Sequence, residues 1–400
     1  MKATKVLLLL LIALNITVQI KQLPHAEINL DDSPRQIWIP AIESLSKVQT
    51  WENSFEKVFS YHNATTFKYL SDVQYQLISD SIEKYYPQYA EELKGISYGF
   101  ERYFKQYVSV NYLSAWVYFH ELSHVDFSKL QLEKQVINEN QFLANFKTKF
   151  FKRVHRDCTG ILVKKSDGSI LHGRNMDQSP SQMRNIAMNL TMYKNEKIIG
   201  YVTDIYWFNT GFVTGMIPGV ISMQENYRFY DLDLYDLLEN IQNGVISQVW
   251  PFRKVMETED LTGKDFDKIV NYLQNEPTGA PMYNILGGIN NGVVLTKSAI
   301  GQEQPKVPKY DLKQDGEDGW FLIQTNYDQW EKDPIDDNRR TQGVKMLKQM
   351  GHKLSQEKIG LFSILDAWEV HNEDTIYTGL MDVNENYFFF LGNDGIKPIN

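Results

Sequence analysis

The sequence predicts an α+β fold, a helical first part followed by antiparallel strands with helices on their faces. Three observations predict it. From about residue 41 to 150, Gly and Pro are few and apolar residues recur three and four apart, as in amphipathic helices. Beyond Arg156, short alternating runs are separated by turn residues, the period-2 pattern of strands. Hydrophobic residues make up 42% of the chain and aromatics 13%, enough to fill a layered core.

In the helical part Ile42, Leu45, Val48 and Trp51 form one apolar stripe, and similar patterns run over 75–86 and 107–122. The β part opens with a strand at 159–164, a turn at Ser166-Asp167-Gly168 and a return strand at 169–172, together a hairpin. Runs at 185–192 and 197–207 flank the turn-like Lys194-Asn195-Glu196 and are expected to pair antiparallel. A Gly-rich stretch at 211–219 precedes a strand at 220–224 and helices near 232–243 and 265–274. Strands at 282–286, 292–296 and 320–324, helices at 342–350 and 362–370, and a hairpin of 375–382 with 387–391 follow.

Residues 1–20 read as a secretory leader, with Lys2 and Lys5 before an apolar run too short to span a bilayer. A lumenal or secreted mature protein is expected, lysosomal or extracellular. Acceptor sequons at Asn63 and Asn189 suit that route. The net charge of −9 argues against nucleic acid as a partner, because phosphate binding needs clustered Lys and Arg.

Cys158 is the only cysteine. In a secreted chain it is inert and buried, paired between chains, or a reactive thiol. It stands at the start of the 159–172 hairpin, and Arg174 and Asp177 follow on the return strand. Arg174 is a permanent cation suited to a thiolate, and Asp177 could accept hydrogen bonds from an α-amine. If the bond before Cys158 were cut, that residue would supply both a nucleophile and an α-amino base with a pKa near 8. A structural Arg–Asp pair at a strand end explains the same spacing.

A second motif competes. His120-Glu121-Leu122-Ser123-His124 matches H-E-x-x-H, in which two histidines one turn apart bind zinc and the glutamate is a general base. Glu133 and Glu139 follow it, without a context that makes either a third ligand. A secreted zinc hydrolase is therefore an alternative enzyme, and a lipid-binding protein on a decayed hydrolase scaffold is a non-enzymatic one. The aromatics Trp116, Tyr118 and Phe119 could offer an apolar surface to lipid, or belong to the core.

Longer motifs carry a resemblance. Cys158-Thr159-Gly160-Ile161 with His172-Gly173-Arg174-Asn175-Met176-Asp177 resembles the self-cleavage site of the acid ceramidase and N-acylethanolamine-hydrolysing acid amidase family. Thr214-Gly215-Met216-Ile217-Pro218-Gly219, Ala280-Pro281-Met282-Tyr283-Asn284, Gln324-Thr325-Asn326-Tyr327-Asp328 and Asp336-Asp337-Asn338-Arg339-Arg340 resemble it in the same order. Departures are Gly160 where the family usually has Ser, Asp157 in place of a bulkier apolar residue, and Asn226-Tyr227 where the family has Asn-Glu.

The resemblance implies an N-terminal nucleophile hydrolase, an αββα sandwich of antiparallel sheets preceded by a helical α-chain region. It implies cleavage between Asp157 and Cys158, giving an α chain of about 21–157 and a β chain of 158–400 that stay associated. Cys158 would be the nucleophile, Arg174 and Asp177 its supports, Asn326 the oxyanion donor and Arg339 a brace. The substrate would be a lipid amide, ceramide in the first instance or an N-acylethanolamine, with no cofactor and no metal.

Overall fold

The computed structural model describes residues 22–127 and 158–394. The expected leader, Glu133, Glu139 and the Asp157 side of the expected scissile bond lie outside the described residues. The strands are β1 (His25–Asn29), β2 (Thr159–Lys164), β3 (Ile170–Asp177), β4 (Met188–Lys194), β5 (Lys197–Asp204), β6 (Thr214–Ile217) and β7 (Ile221–Tyr227), followed by β8 (Met282–Gly288), β9 (Gly292–Lys297), β10 (Lys309–Asp311), β11 (Phe321–Gln324), β12 (Thr375–Asp382) and β13 (Tyr387–Gly392).

Among the described residues they form two sheets, of order β1-β4-β5-β6-β7-β8-β9-β10 and β11-β2-β3-β12-β13. All pairings are antiparallel except β1 with β4. Strand alternation then decides which side chains meet. Leu162 and Ile170 of the smaller sheet pack on Tyr283, Ile285 and Val294 of the larger one, so the sheets lie face to face. Ile161, Val163 and Leu171 point the other way, onto Leu347, Leu361, Ile364 and Leu365 of the Arg339–Met350 and Lys358–Leu365 helices.

On the far side of the larger sheet lie the Trp250–Glu257 and Phe266–Asn275 helices. Gly288 has no side chain because the Phe266 ring would stand 2.5 Å from a Cβ there. The layer order is therefore helix, sheet, sheet, helix, the expected αββα sandwich.

The first hairpin follows the expected course, with Gly168 at φ +90° in its turn, but the return strand runs on to Asp177. Other expectations needed correction. The stripe from Ile42 to Trp51 is not one helix: Ile39–Ser46 ends before Val48, which is 62% exposed. The 211–219 stretch contains β6, and the Trp250–Glu257 helix was unforeseen because Pro251 at its N-terminus reads as a breaker while fitting the first turn. The helix expected at 362–370 is Lys358–Leu365.

The helical part is not separate from the sandwich. β1 extends the larger sheet beside β4, and Phe55, Phe59 and Trp116 pack against Phe208. Trp116, Tyr118 and Phe119 are core residues, at 0%, 1% and 3% exposure, and offer no surface to lipid. No helix among the described residues is long and apolar enough to cross a membrane.

A wholly buried ion pair ties the two parts together. Arg253 reaches Glu92 through Nη1–Oε2 at 2.5 Å and Nη2–Oε1 at 2.7 Å, and Trp38 Nε1 donates to the same carboxylate. Glu92→Ala leaves the buried Arg253 with Glu257 as its only carboxylate, 2.7 Å from its Nε, and Trp38 Nε1 without its acceptor, so it is expected to cost about 3 kcal/mol. An unfolding free energy from urea titration within about 1 kcal/mol of wild type would contradict this.

Candidate active site

Cys158 sits one residue before β2, on the strand end where the two sheets face each other, and is buried. Across the ladder, β3 presents His172, Arg174 and Met176 to the same interior. Arg174 Nη2 lies 3.5 Å from Cys158 Sγ and 2.8 Å from Met176 Sδ, and Cys158 Sγ is 3.3 Å from that Sδ. The guanidinium is held from β7 as well, Nη1 donating to Glu225 O at 2.7 Å. Burial acts to lower the Arg174 pKa, but Tyr377, Cys158, Glu225 and Asp204 outweigh it and raise it. A fixed cation thus stands at the thiol, the arrangement that favours thiolate.

Asp177 is three residues from Arg174, an odd spacing, so it emerges from the opposite face of β3. There its Oδ2 accepts from Arg339 Nη1 and Asn372 Nδ2, each at 2.9 Å, and its Oδ1 from Thr375 Oγ1 at 2.6 Å. Arg339 is the hub of this second face. It reaches Asp337 through Nε at 2.6 Å, Asn326 Oδ1 through Nη2 at 2.8 Å and Thr159 Oγ1 through Nη1 at 3.2 Å. A cation at the first position of a helix is disfavoured by the helix dipole. The two carboxylates of Asp177 and Asp337 offset that.

Asn326 is oriented by this hub. Its Oδ1 takes the Arg339 hydrogen bond, which turns Nδ2 the other way, where one hydrogen goes to Tyr227 O at 2.9 Å. The five residues singled out in the sequence, Cys158, Arg174, Asp177, Asn326 and Arg339, are thus gathered at the adjoining ends of β2, β3 and β11, linked by hydrogen bonds on both faces. Asn372 and Thr375, which hold Asp177, carried no signal in the sequence.

Related proteins match part of the chain. The N-acylethanolamine-hydrolyzing acid amidase of Oryctolagus cuniculus is 32% identical over 237 residues, covering 56% of this chain and 60% of that protein. The acid ceramidase of Homo sapiens is 28% identical over 254 residues, covering 58% and 60%. The chain is similar to acid ceramidases and N-acylethanolamine-hydrolyzing acid amidases. It spans about three fifths of the length of these curated relatives. Among solved structures, a Caenorhabditis elegans ortholog of the N-acylethanolamine-hydrolyzing acid amidase matches with TM-score 0.48 and 26% identity, covering 56% of this chain and 93% of that one. No protein-family model matches.

The two histidines of the H-E-x-x-H segment meet edge to face, ring centroids 4.8 Å apart, but each of the three side chains has partners of its own. His124 Nδ1 donates to Tyr230 O at 2.9 Å and its ring lies flat on Tyr227, centroids 3.7 Å apart. His120 Nε2 points at Glu225 Oε1, 3.4 Å away, and Glu121 Oε1 accepts from the Gln248 backbone N–H at 2.8 Å. Among the described residues no three His, Cys, Asp or Glu side chains are grouped to hold a metal. The zinc reading therefore has no ligand set there.

Glu121 has a measurable consequence of another kind. Burial pushes its carboxyl up to about 7 from an ordinary 4.5, against the lowering effect of the Gln248 N–H. Between those values the folded chain keeps a proton that the unfolded chain has lost, so this group makes stability fall as pH rises. Glu121→Gln, which mimics the protonated acid, is expected to match wild type below pH 4.5 and to exceed it by up to about 3 kcal/mol above pH 7. Parallel stability curves for the two would contradict the assignment.

The sequons differ in access. Asn63 is exposed near the end of the Phe55–Thr65 helix, its Oδ1 accepting from Tyr112 OH. Asn189 is half-buried in β4, flanked by β1 and β5, and its Oδ1 accepts from the buried Thr203 hydroxyl at 2.6 Å.

Proposed function

We propose that this protein is an amide hydrolase acting on lipid amides, with Cys158 as nucleophile, in an acidic lumenal or secreted compartment. The observation that carries it is a lone thiol at a strand end, 3.5 Å from a buried guanidinium and within the hydrogen-bonded frame that orients Asn326. The names of the similar proteins support the reaction class, and the expected leader supports the compartment.

The chain first acts on itself. Cys158 Sγ attacks the carbonyl carbon of Asp157, the peptide C–N bond breaks, and the proton from the thiol ends on the freed α-amine. Water then hydrolyses the resulting thioester, leaving the Asp157 carboxyl and a thiol with an α-amino group on one residue. That amine removes the thiol proton in turnover, and the thiolate attacks the substrate carbonyl. The oxyanion is met by the second Nδ2 hydrogen of Asn326, an uncharged donor held in place by Arg339. Collapse breaks the substrate C–N bond, the α-ammonium returns its proton to the leaving amine, and water releases the fatty acid from the thioester. The 22–127 part remains attached through β1 and the Glu92–Arg253 pair.

Ceramide is the substrate first expected, on the likeness of Met176 and of the Gly215-to-Gly219 and Ala280-to-Gly288 stretches. An N-acylethanolamine is the second reading, favoured by the 32% identity to the amidase named for it. Turnover of a ceramide and an N-acylethanolamine of the same acyl chain at acid pH decides between them. Hydrolysis of neither would sink the function.

A further inference from the structure

The interior between the sheets holds a row of polar side chains leading to the nucleophile. Asn226, on β7, places Nδ2 at 3.1 Å from Gln324 O, 3.2 Å from Thr325 O and 3.3 Å from Cys158 O. Its Oδ1 is 2.6 Å from Gln224 Nε2. Gln224 Oε1 is 3.0 Å from His172 Nε2, and His172 Nδ1 is 2.9 Å from Ser222 Oγ. All of these side chains are buried, at 2% exposure or less.

The donors and acceptors in this row follow from its Asn226 end. Three carbonyl oxygens can only accept, so the Asn226 end facing them is its NH2 group. Its oxygen then faces Gln224, which must turn its own NH2 that way and its oxygen to His172. His172 therefore carries its hydrogen on Nε2. Burial holds His172 far below its ordinary pKa, at about 3, so the ring is neutral and Nδ1 turns a lone pair to Ser222 Oγ, whose one hydrogen is shared between Nδ1 at 2.9 Å and Gly287 O at 3.1 Å.

Cys158 lies outside the last ladder pair of β2, Thr159 with Asn175. Its carbonyl is held instead across the sandwich by Asn226. A fixed carbonyl fixes the 158–159 peptide plane and with it the place of Cα, from which both the Cβ–Sγ arm and the nitrogen that becomes the α-amine extend. Gly160 leaves the room this requires, since a Cβ there would stand 2.8 Å from Gln224 Nε2.

We propose that Gln224 is a positioning residue for the nucleophile: by orienting Asn226 it sets the Cys158 carbonyl, with His172 and Ser222 fixing its own direction. This rests on Cys158 being the nucleophile of the function proposed above.

Two variants test it beside wild type and Cys158→Ala, all as the acid-treated full chain with a medium-chain ceramide, or the matching N-acylethanolamine, in mixed micelles. Gln224→Met keeps the volume and removes the hydrogen bonds. Its kcat is expected to fall roughly 10- to 100-fold with KM within about twofold, as for a misplaced reacting atom. Gln224→Glu can donate to Asn226 only when protonated. It should approach wild type at the acid end and lose kcat through one added ionisation as pH rises. Wild-type kcat in Gln224→Met, or an equal loss at every pH in Gln224→Glu, would overturn the proposal.

A test independent of turnover uses 15N-histidine-labelled protein. His172 is expected as the Nε2–H tautomer in wild type, and finding Nδ1–H would overturn the relay. If wild type turns over neither substrate, or Cys158→Ala does so, the functional reading fails, while the tautomer still decides the relay.

Discussion

Arg339→Met is expected to slow self-cleavage and turnover together and to cost the fold about 3–5 kcal/mol, because it strips a buried cation from two buried carboxylates. Asp177 and Asp337 would face each other's neighbourhood with no counter-charge, and Asn326 Oδ1 and Thr159 Oγ1 would lose their donor. With Asn326 free to turn, the oxyanion donor is misdirected, a loss on the order of 10²–10³ in kcat. Arg339→Lys separates the two effects. One ammonium retains part of the charge balance but cannot reach all four partners in a fork, so stability should recover more than kcat does. Equal recovery of both, or a chemical denaturation midpoint unchanged in Arg339→Met, would contradict the hub role.

Cys158→Ala is expected to have the largest effect on activity and a small one on stability. The Sγ neighbours Arg174 through a weak sulfur contact at 3.5 Å, while Arg174 keeps Glu225 O and Met176 Sδ as partners. Loss of the nucleophile should leave the chain uncut and lower turnover by at least about 10⁴-fold. Measurable hydrolysis near the wild-type rate by Cys158→Ala would remove the thioester mechanism altogether.

How far the sequence carried these conclusions depends on sequence separation. The β2–β3 hairpin was legible because its alternation and its Gly168 turn are local, and the same holds for β12–β13. β1 was not legible, since His25–Asn29 becomes a strand only by pairing parallel with β4, some 160 residues on. Arg174 and Cys158 could be expected together from the hairpin. Asp177 was expected beside them, but the strand period of two put it on the other face, against Arg339. His172, Gln224 and Asn226 gave no local signal, as their hydrogen bonds span the gap between two sheets. The H-E-x-x-H spacing was visible and misleading, because each of its side chains is committed to β7, the loop after it or Gln248.

The central claim is that Cys158 is both the site of self-cleavage and the nucleophile. N-terminal sequencing of the wild-type protein during acid incubation, with lipid-amide hydrolysis followed in the same samples, tests it most directly. The larger fragment should begin at Cys158 and activity should rise in proportion to its appearance. Full activity in an uncut chain, or a fragment beginning elsewhere, would contradict it.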